Sequence, residues 1–228
     1  MIEIKKKAAP QVIQAWSFSR LNEYEGCPKK SYFKVIEKLK EPGSEAMDRG
    51  AAIHKEGENF LKGITEEVPL SFAGLGQELA EAKMLGAKSE VEATFRKDWT
   101  SCGWFDEDAW LRVKIDMLLV QDGVVRIIDF KTGKNRGGYE DQLDLYALTA
   151  LLIYPDCSDV SCELWFTDSS EIIGTKAGTY NASHLEGLKK KWEKRVTPML
   201  CDTIFAPRPS SACKWCWFSQ SKTGKCEY

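Results

Sequence analysis

The chain lacks any apolar run long enough to cross a membrane. Its longest central stretch of that kind, LYALTALLIY at 145–154, is about half of the roughly 20 residues that a bilayer requires. The basic start MIEIKKKAAPQ has no apolar segment behind it, so no signal peptide is read there and a cytoplasmic location is expected. There is no GxxxxGK(S/T) phosphate loop, no internal repeat and no low-complexity tract. Histidine is scarce, with only His54 and His184 in 228 residues.

Net charge is also nearly absent, at −2, but that small total hides an uneven distribution. Residues 1–40 carry nine Lys/Arg against four Asp/Glu, and residues 187–228 carry nine against three. The stretch between them is therefore strongly acidic. If the two ends fold together they form one positive surface suited to a phosphate backbone; the plainer alternative is a pair of solvated lysine faces. A length of 228 residues with 43% hydrophobic and 29% charged residues fits an ordinary globular chain of one domain, able to bury a real core.

What the chain does have is two carboxylates and a lysine on a β-hairpin. Residues 113–131 read VKIDMLLVQDGVVRIIDFK. Asp116 is expected to end one β-rich run, a turn at Gln121-Asp122-Gly123 reverses the chain, and Asp129 and Lys131 close the second run. Strand alternation puts Asp129 and Lys131 on one face, beside Asp116. Such a group can hold a hard divalent cation and polarise water for phosphodiester hydrolysis, although a salt-bridged strand end would give the same pattern.

The cysteines form the second constellation. Eight of them in a reducing compartment argue against disulfides. Cys213 and Cys216 make a CxxC knuckle, Cys226 follows across a short loop, and Cys27, bracketed by Gly26 and Pro28, is the best fourth ligand. Four thiolates can hold zinc or a 4Fe–4S cluster, and spacing alone does not choose. Cys102, Cys157, Cys162 and Cys201 read as free or buried thiols. Trp215 and Trp217, inside the basic cysteine segment, could stack on unpaired bases, but shielding a cluster or filling a small core is the commoner role.

Along the rest of the chain, Ser17 or Ser19 is the N-cap of a helical stretch and EPGSE at 41–45 is a break. Helices are expected over about 46–62, where Gly50 shares the face of His54 and is expected to permit close approach to the sheet, and over QELAEAKMLGAK. A strand follows at SEVEATFRKDW, with Glu90 and Glu92 on one face and Glu92 the possible acidic helper. After the hairpin comes the basic, glycine-rich loop KTGKNRGG, where a phosphate could approach backbone amides. An amphipathic helix then carries Gln142 and Tyr146 one turn apart, with Leu145, Leu148 and Leu152 as its apolar stripe. A strand at SCELWFTD, a shorter one near EIIGTK and a lysine-rich helix from about 182 to 200, started by an inert His184, complete the chain.

The ordered set His54, Asp116, Asp129, Lys131, Gln142 and Tyr146, flanked by Cys27 and the C-terminal cysteines, resembles the PD-(D/E)xK nuclease superfamily, and within it the RecB-like exonucleases with an iron–sulfur staple, such as CRISPR-adaptation exonucleases and AddB-type nucleases. The resemblance implies a restriction-endonuclease-like αβββαβ core at 46–199. Residues 17–45 and 200–228 would form a small helical, basic, cysteine-bound lobe within a single nuclease domain. It implies Mg²⁺ or Mn²⁺ on His54, Asp116, Asp129 and the Phe130 carbonyl, catalysis by Asp116, Asp129 and Lys131, and DNA contact or bracing by Gln142 and Tyr146. The thiolate site at Cys27, Cys213, Cys216 and Cys226 would hold a 4Fe–4S cluster, with zinc as the alternative. The implied activity is a metal-dependent DNA exonuclease acting on single-stranded ends in recombination or repair. An endonuclease on the same core and a silent DNA-binding module are the other readings. DNA, and a recombination or replication protein, are the implied partners, in a bacterial or phage-infected cell.

Overall fold

The structure is a computed structural model that describes residues 12–175 and 178–228. The basic start at 1–11, and the end of the expected EIIGTK strand at Lys176, lie outside the described residues. The chain divides into two compact units, one of residues 43–193 and one that joins 1–42 to 194–228.

In the first of these, α3 (Glu45–Leu61) and α4 (Gly76–Met84) precede a run of three strands. The N-terminal helices α1 (Phe18–Gly26) and α2 (Pro28–Ser31) belong to the other unit. Ser44 starts α3 by accepting the amide of Met47, and Glu45 and Asp48 in its first turn suit the positive end of the helix. The strands β1 (Lys88–Phe95), β2 (Leu111–Gln121) and β3 (Val124–Lys131) pair antiparallel in sequence order. The reversal between β2 and β3 uses Asp122 and Gly123, both with positive φ, as a two-residue hairpin turn demands.

The helix α5 (Glu140–Ile153) then crosses over to β4 (Asp159–Phe166), which runs parallel to β3, and β5 (Glu171–Gly174) closes the sheet antiparallel to β4. The sheet order β1-β2-β3-β4-β5 around one crossover gives the expected αβββαβ succession. The last helix, α6 (Leu185–Cys201), begins in this unit and ends in the other. No helix among the described residues is long and apolar enough to cross a membrane.

Three details depart from the sequence reading. Asp116 lies in the middle of β2, because the buried run Met117–Leu119 carries the strand on to Gln121. The helix α5 has no single apolar stripe: Leu143 and every residue from Leu145 to Leu151 are buried, Leu152 only partly. The close approach of α3 is at Gly57, where a Cβ would stand 2.9 Å from the Phe130 ring and 3.0 Å from Phe72, whereas one on Gly50 would meet only Thr132 at an ordinary 3.5 Å. Gly57 therefore lets α3 settle onto a core of Ile53, Phe60, Phe72, Met117, Phe130 and Trp165.

In the other unit, Ser17 caps α1 by accepting the amide of Arg20. Cys27, in extended backbone, ends α1 and starts α2, with Pro28 at the first position of the second helix. Tyr24 ties this start to the C-terminal segment: its hydroxyl donates to Asp202 at 2.8 Å, while Arg195 makes a two-pronged pair with Glu25 at 2.8 Å on each arm. Phe33 packs against Phe218, with ring centroids 5.2 Å apart.

Candidate active site

The β2–β3 ladder runs from Gln121–Val124 down to Met117–Ile128 and stops there. One step further lie Asp116 and Asp129, on strands no longer held by that ladder. Asp116 Oδ2 accepts the amide of Phe130 at 2.8 Å, in place of a strand partner. Its other oxygen faces His54 Nδ1 at 3.1 Å, brought there by α3. Both aspartates are nearly buried, at 9% and 6% exposure.

Asp129 is held from the other side. Its Oδ1 accepts from Gln142 Nε2 at 3.2 Å and from the Tyr146 hydroxyl, and Gln142 Nε2 also donates to Tyr146 at 2.9 Å. Lys131 Nζ stands 2.6 Å from Asp129 Oδ2 and donates to Gln142 Oε1 at 2.9 Å. The lysine contact is an ion pair, and that buried oxygen has no other polar partner among the described residues. A desolvated carboxylate oxygen with only a charge beside it is a natural place for a cation. The ligand atoms of His54, Asp116 and Asp129 do not all fall within 4.8 Å of one another in this ion-free arrangement.

The electrostatics follow from this burial. Desolvation raises the Asp129 pKa, and Asp116 adds to it while Lys131 opposes. For His54, burial disfavours the charged ring, but the Asp116 carboxylate and, further off, Asp129 outweigh it and raise the pKa. Burial and Asp129 push the Tyr146 hydroxyl well above the ordinary tyrosine value, so it stays a proton donor to that carboxylate.

Other expected residues sit elsewhere. Glu92 is exposed, opposite Lys114. Glu90 instead lies between the paired residues Ser89 and Val91, opposite Asp116, and lines the same cleft of about 410 Å³ as His54, Asp116 and Lys114. It forms an ion pair with Lys114. Glu90 is also the one described non-glycine residue inside a strand with a positive φ, 54°. The signal for this corner was available: Lys114-Ile115-Asp116 repeats in reverse the spacing of Asp129-Phe130-Lys131.

Gln142 and Tyr146, expected to contact DNA or brace the site, turn inward onto Asp129 and Lys131; Tyr146 is 5% exposed. Three of the amides of KTGKNRGG are already taken within the chain. Gly133 donates to Asp168 Oδ2 at 2.7 Å, Gly137 to Asn135 Oδ1 at 2.9 Å and Arg136 to the Tyr139 hydroxyl at 3.3 Å. His184 has a structural task, accepting the amide of Asn181 on Nδ1 at 3.1 Å to cap its turn.

The four cysteines converge on one cavity of about 480 Å³ in the unit built from both ends of the chain. Cys27 comes from the α1–α2 junction, Cys213 and Cys216 from the 3₁₀ turn Ser211–Trp215 and its cap, and Cys226 from a segment tied by its amide to Phe218 at 2.8 Å. The Arg208 amide points at Cys27 Sγ at 3.5 Å and the Ser210 amide at Cys213 Sγ at 3.4 Å. No three of these sulfurs lie within 4.8 Å of one another in this ion-free arrangement. The described group that does meet that limit is Cys102, Asp106 and Asp108, but Arg96 bonds Asp108 at 2.5 Å and Asp106 at 3.3 Å there.

The sequence profile of the PD-(D/E)XK nuclease superfamily matches residues 15–221. No curated protein sequence matches the chain. Among solved structures, a protein assigned as an exonuclease from Eubacterium rectale is similar in fold, with a TM-score of 0.51, 16% identity, and 89% of this chain and 87% of that one covered. The crystal structure of SSO0001 aligns with a TM-score of 0.44 and 16% identity over 96% and 91% of the two chains.

Proposed function

Because the chain belongs to the PD-(D/E)XK nuclease superfamily, we propose that it is a divalent-metal-dependent deoxyribonuclease that shortens DNA strands from their ends, with single-stranded ends in recombination or repair as its substrate. One observation carries this reading: the buried carboxylates of Asp116 and Asp129 stand where two strands part, with His54 on one side and Lys131 on the other.

Mg²⁺ or Mn²⁺ would be held by His54, Asp116, Asp129 and the Phe130 carbonyl, and supplies the positive charge that eases attack of water on a phosphodiester. Asp116 fixes the Phe130 peptide through its amide and orients His54 through Nδ1. Tyr146 and Gln142 clamp Asp129, and Gln142 also aims Lys131. Lys131 keeps an ammonium beside the site, able to offset charge on the attacked phosphate. Glu90 and Lys114 form a charged rim on the same cleft.

The thiolate cavity fits a 4Fe–4S cluster on Cys27, Cys213, Cys216 and Cys226, with two amides directed at the sulfurs. Its contribution is to the folding of its own unit. Protein purified without oxygen should contain about four irons per chain; one zinc and no colour would replace the cluster assignment without touching the nuclease reading.

The test of activity is digestion of end-labelled DNA with Mn²⁺ or Mg²⁺, wild type beside Asp116→Asn, with a circular single strand in parallel. Shortening of linear strands by the wild type alone, with the circle intact, is expected. Cutting of the circle would make the enzyme an endonuclease. Equal products from both proteins would show that the chemistry is not at Asp116.

A further inference from the structure

The turn that places the knuckle cysteines on their cavity leaves the two residues between them exposed, with Trp215 at the cavity's rim. Ser210 caps the 3₁₀ turn Ser211–Trp215 through the Ala212 amide at 3.2 Å. With about three residues per turn, Cys213 and Cys216 share one side and Lys214 and Trp215 take the others. Trp215 is 75% exposed, the most exposed of the eight tryptophans, where shielding or core filling would have buried it. Its backbone is fixed, because Lys222 Nζ donates to its carbonyl at 3.0 Å. Lys214 Nζ stands 5.3 Å from the centre of its ring. Tyr228, 48% exposed, lines the same cavity.

A solvent-facing indole with ammonium groups beside it is poorly suited to an ordinary surface and well suited to a base and its phosphates. The described residues of the unit that carries it, 12–42 and 194–228, hold 12 Lys/Arg against 6 Asp/Glu, a net +6 that favours a polyanion over an apolar protein face. We propose that the Lys214–Trp215 tip is a binding surface for single-stranded DNA, in which an unpaired base stacks on Trp215 while Lys214 meets the adjoining phosphate. The surface deepens the nuclease reading and rests on it for the identity of the polymer.

The experiment measures binding of the full-length, cluster-loaded protein to a fluorescent oligothymidine in EDTA, beside an abasic strand of the same length. Stacking is a contact with bases, so Trp215→Ala should bind the thymidine strand roughly tenfold or more weakly while its affinity for the abasic strand is unchanged. Trp215→Phe, which keeps a ring, should recover most of the loss. Visible absorption and circular dichroism of each variant report whether the cluster unit is intact. An intact Trp215→Ala that binds oligothymidine within twofold of wild type overturns the proposal and turns attention to a protein partner. Equal losses on both strands overturn it too, since they would mark a purely electrostatic effect. Cleavage with Mn²⁺ separates this surface from the nuclease reading. Wild type that binds through Trp215 but cuts nothing sinks the nuclease alone, and wild type that cuts while Trp215 is indifferent sinks the surface alone.

Discussion

The two units of this chain hold opposite net charge and opposite kinds of candidate metal ligand. Residues 43–193 carry 17 Lys/Arg against 27 Asp/Glu and gather hard carboxylate oxygens, whereas the unit made from both ends is net positive and gathers soft thiols. The cleft of Asp116 and Glu90 belongs to a unit with ten more acidic than basic residues, a net charge that repels a polyanion. The task of attracting a strand therefore falls to other surfaces, and the charge that suits it lies in the unit without carboxylate chemistry. The separation leads to a clear expectation, that each unit can be disabled without disabling the other.

The sharpest test crosses the two. Asp116→Asn should lower cleavage by about a thousandfold or more, the worth of several kcal/mol at the transition state, and leave the iron content unchanged. Cys213→Ala should do the reverse to the metals, losing iron while Mn²⁺ affinity by calorimetry stays within a few-fold. Loss of both metals in either variant would mean that the units do not stand alone.

Within the carboxylate unit, Tyr146→Phe should lower metal affinity or turnover about 10- to 100-fold, as expected for a group that orients a ligand. A variant that instead raises KM for DNA at unchanged Mn²⁺ affinity would return Tyr146 to the strand-contact role. The pH dependence has a definite sign. His54 and Asp129 both have raised pKa values, so each keeps a proton to higher pH than usual and a cation must displace it. Mn²⁺ affinity should accordingly strengthen between about pH 6 and pH 8, the range over which a histidine near its ordinary value or above loses its proton. Equal affinity at the two values would remove His54 from the ligand set. The smallest effect separates two neighbours: Glu90→Gln should weaken Mn²⁺ binding a few-fold through the shared cleft, and Glu92→Gln, on an exposed side chain, should not.

These expectations also mark how far the sequence can be read. Period-2 alternation was enough to bring Asp129 beside Lys131, and the i, i+4 spacing was enough to put Gln142 against Tyr146. Alternation could not say which of Glu90 and Glu92 falls opposite Asp116, because both share a face and only the strand register distinguishes them. Nor could it show that the Gly133 amide is taken by Asp168, 35 residues further on. The inward turn of Tyr146 depends on how α5 is buried, and the buried run from Leu145 to Leu151 does not reveal its direction in a linear reading. The knuckle was legible as a pair of thiols, but the exposure of Trp215 at the rim of their cavity became visible only in the folded turn.

The division of the chain also sets an order in time. The carboxylate unit is one continuous stretch, so all of it is synthesised after Cys27 and before Cys213, Cys216 and Cys226. The Cys27 thiol therefore waits for the other three cysteines of its cavity while the whole of the other unit is made. A cell making this protein therefore finishes the chain of the carboxylate unit before the thiol cavity can close.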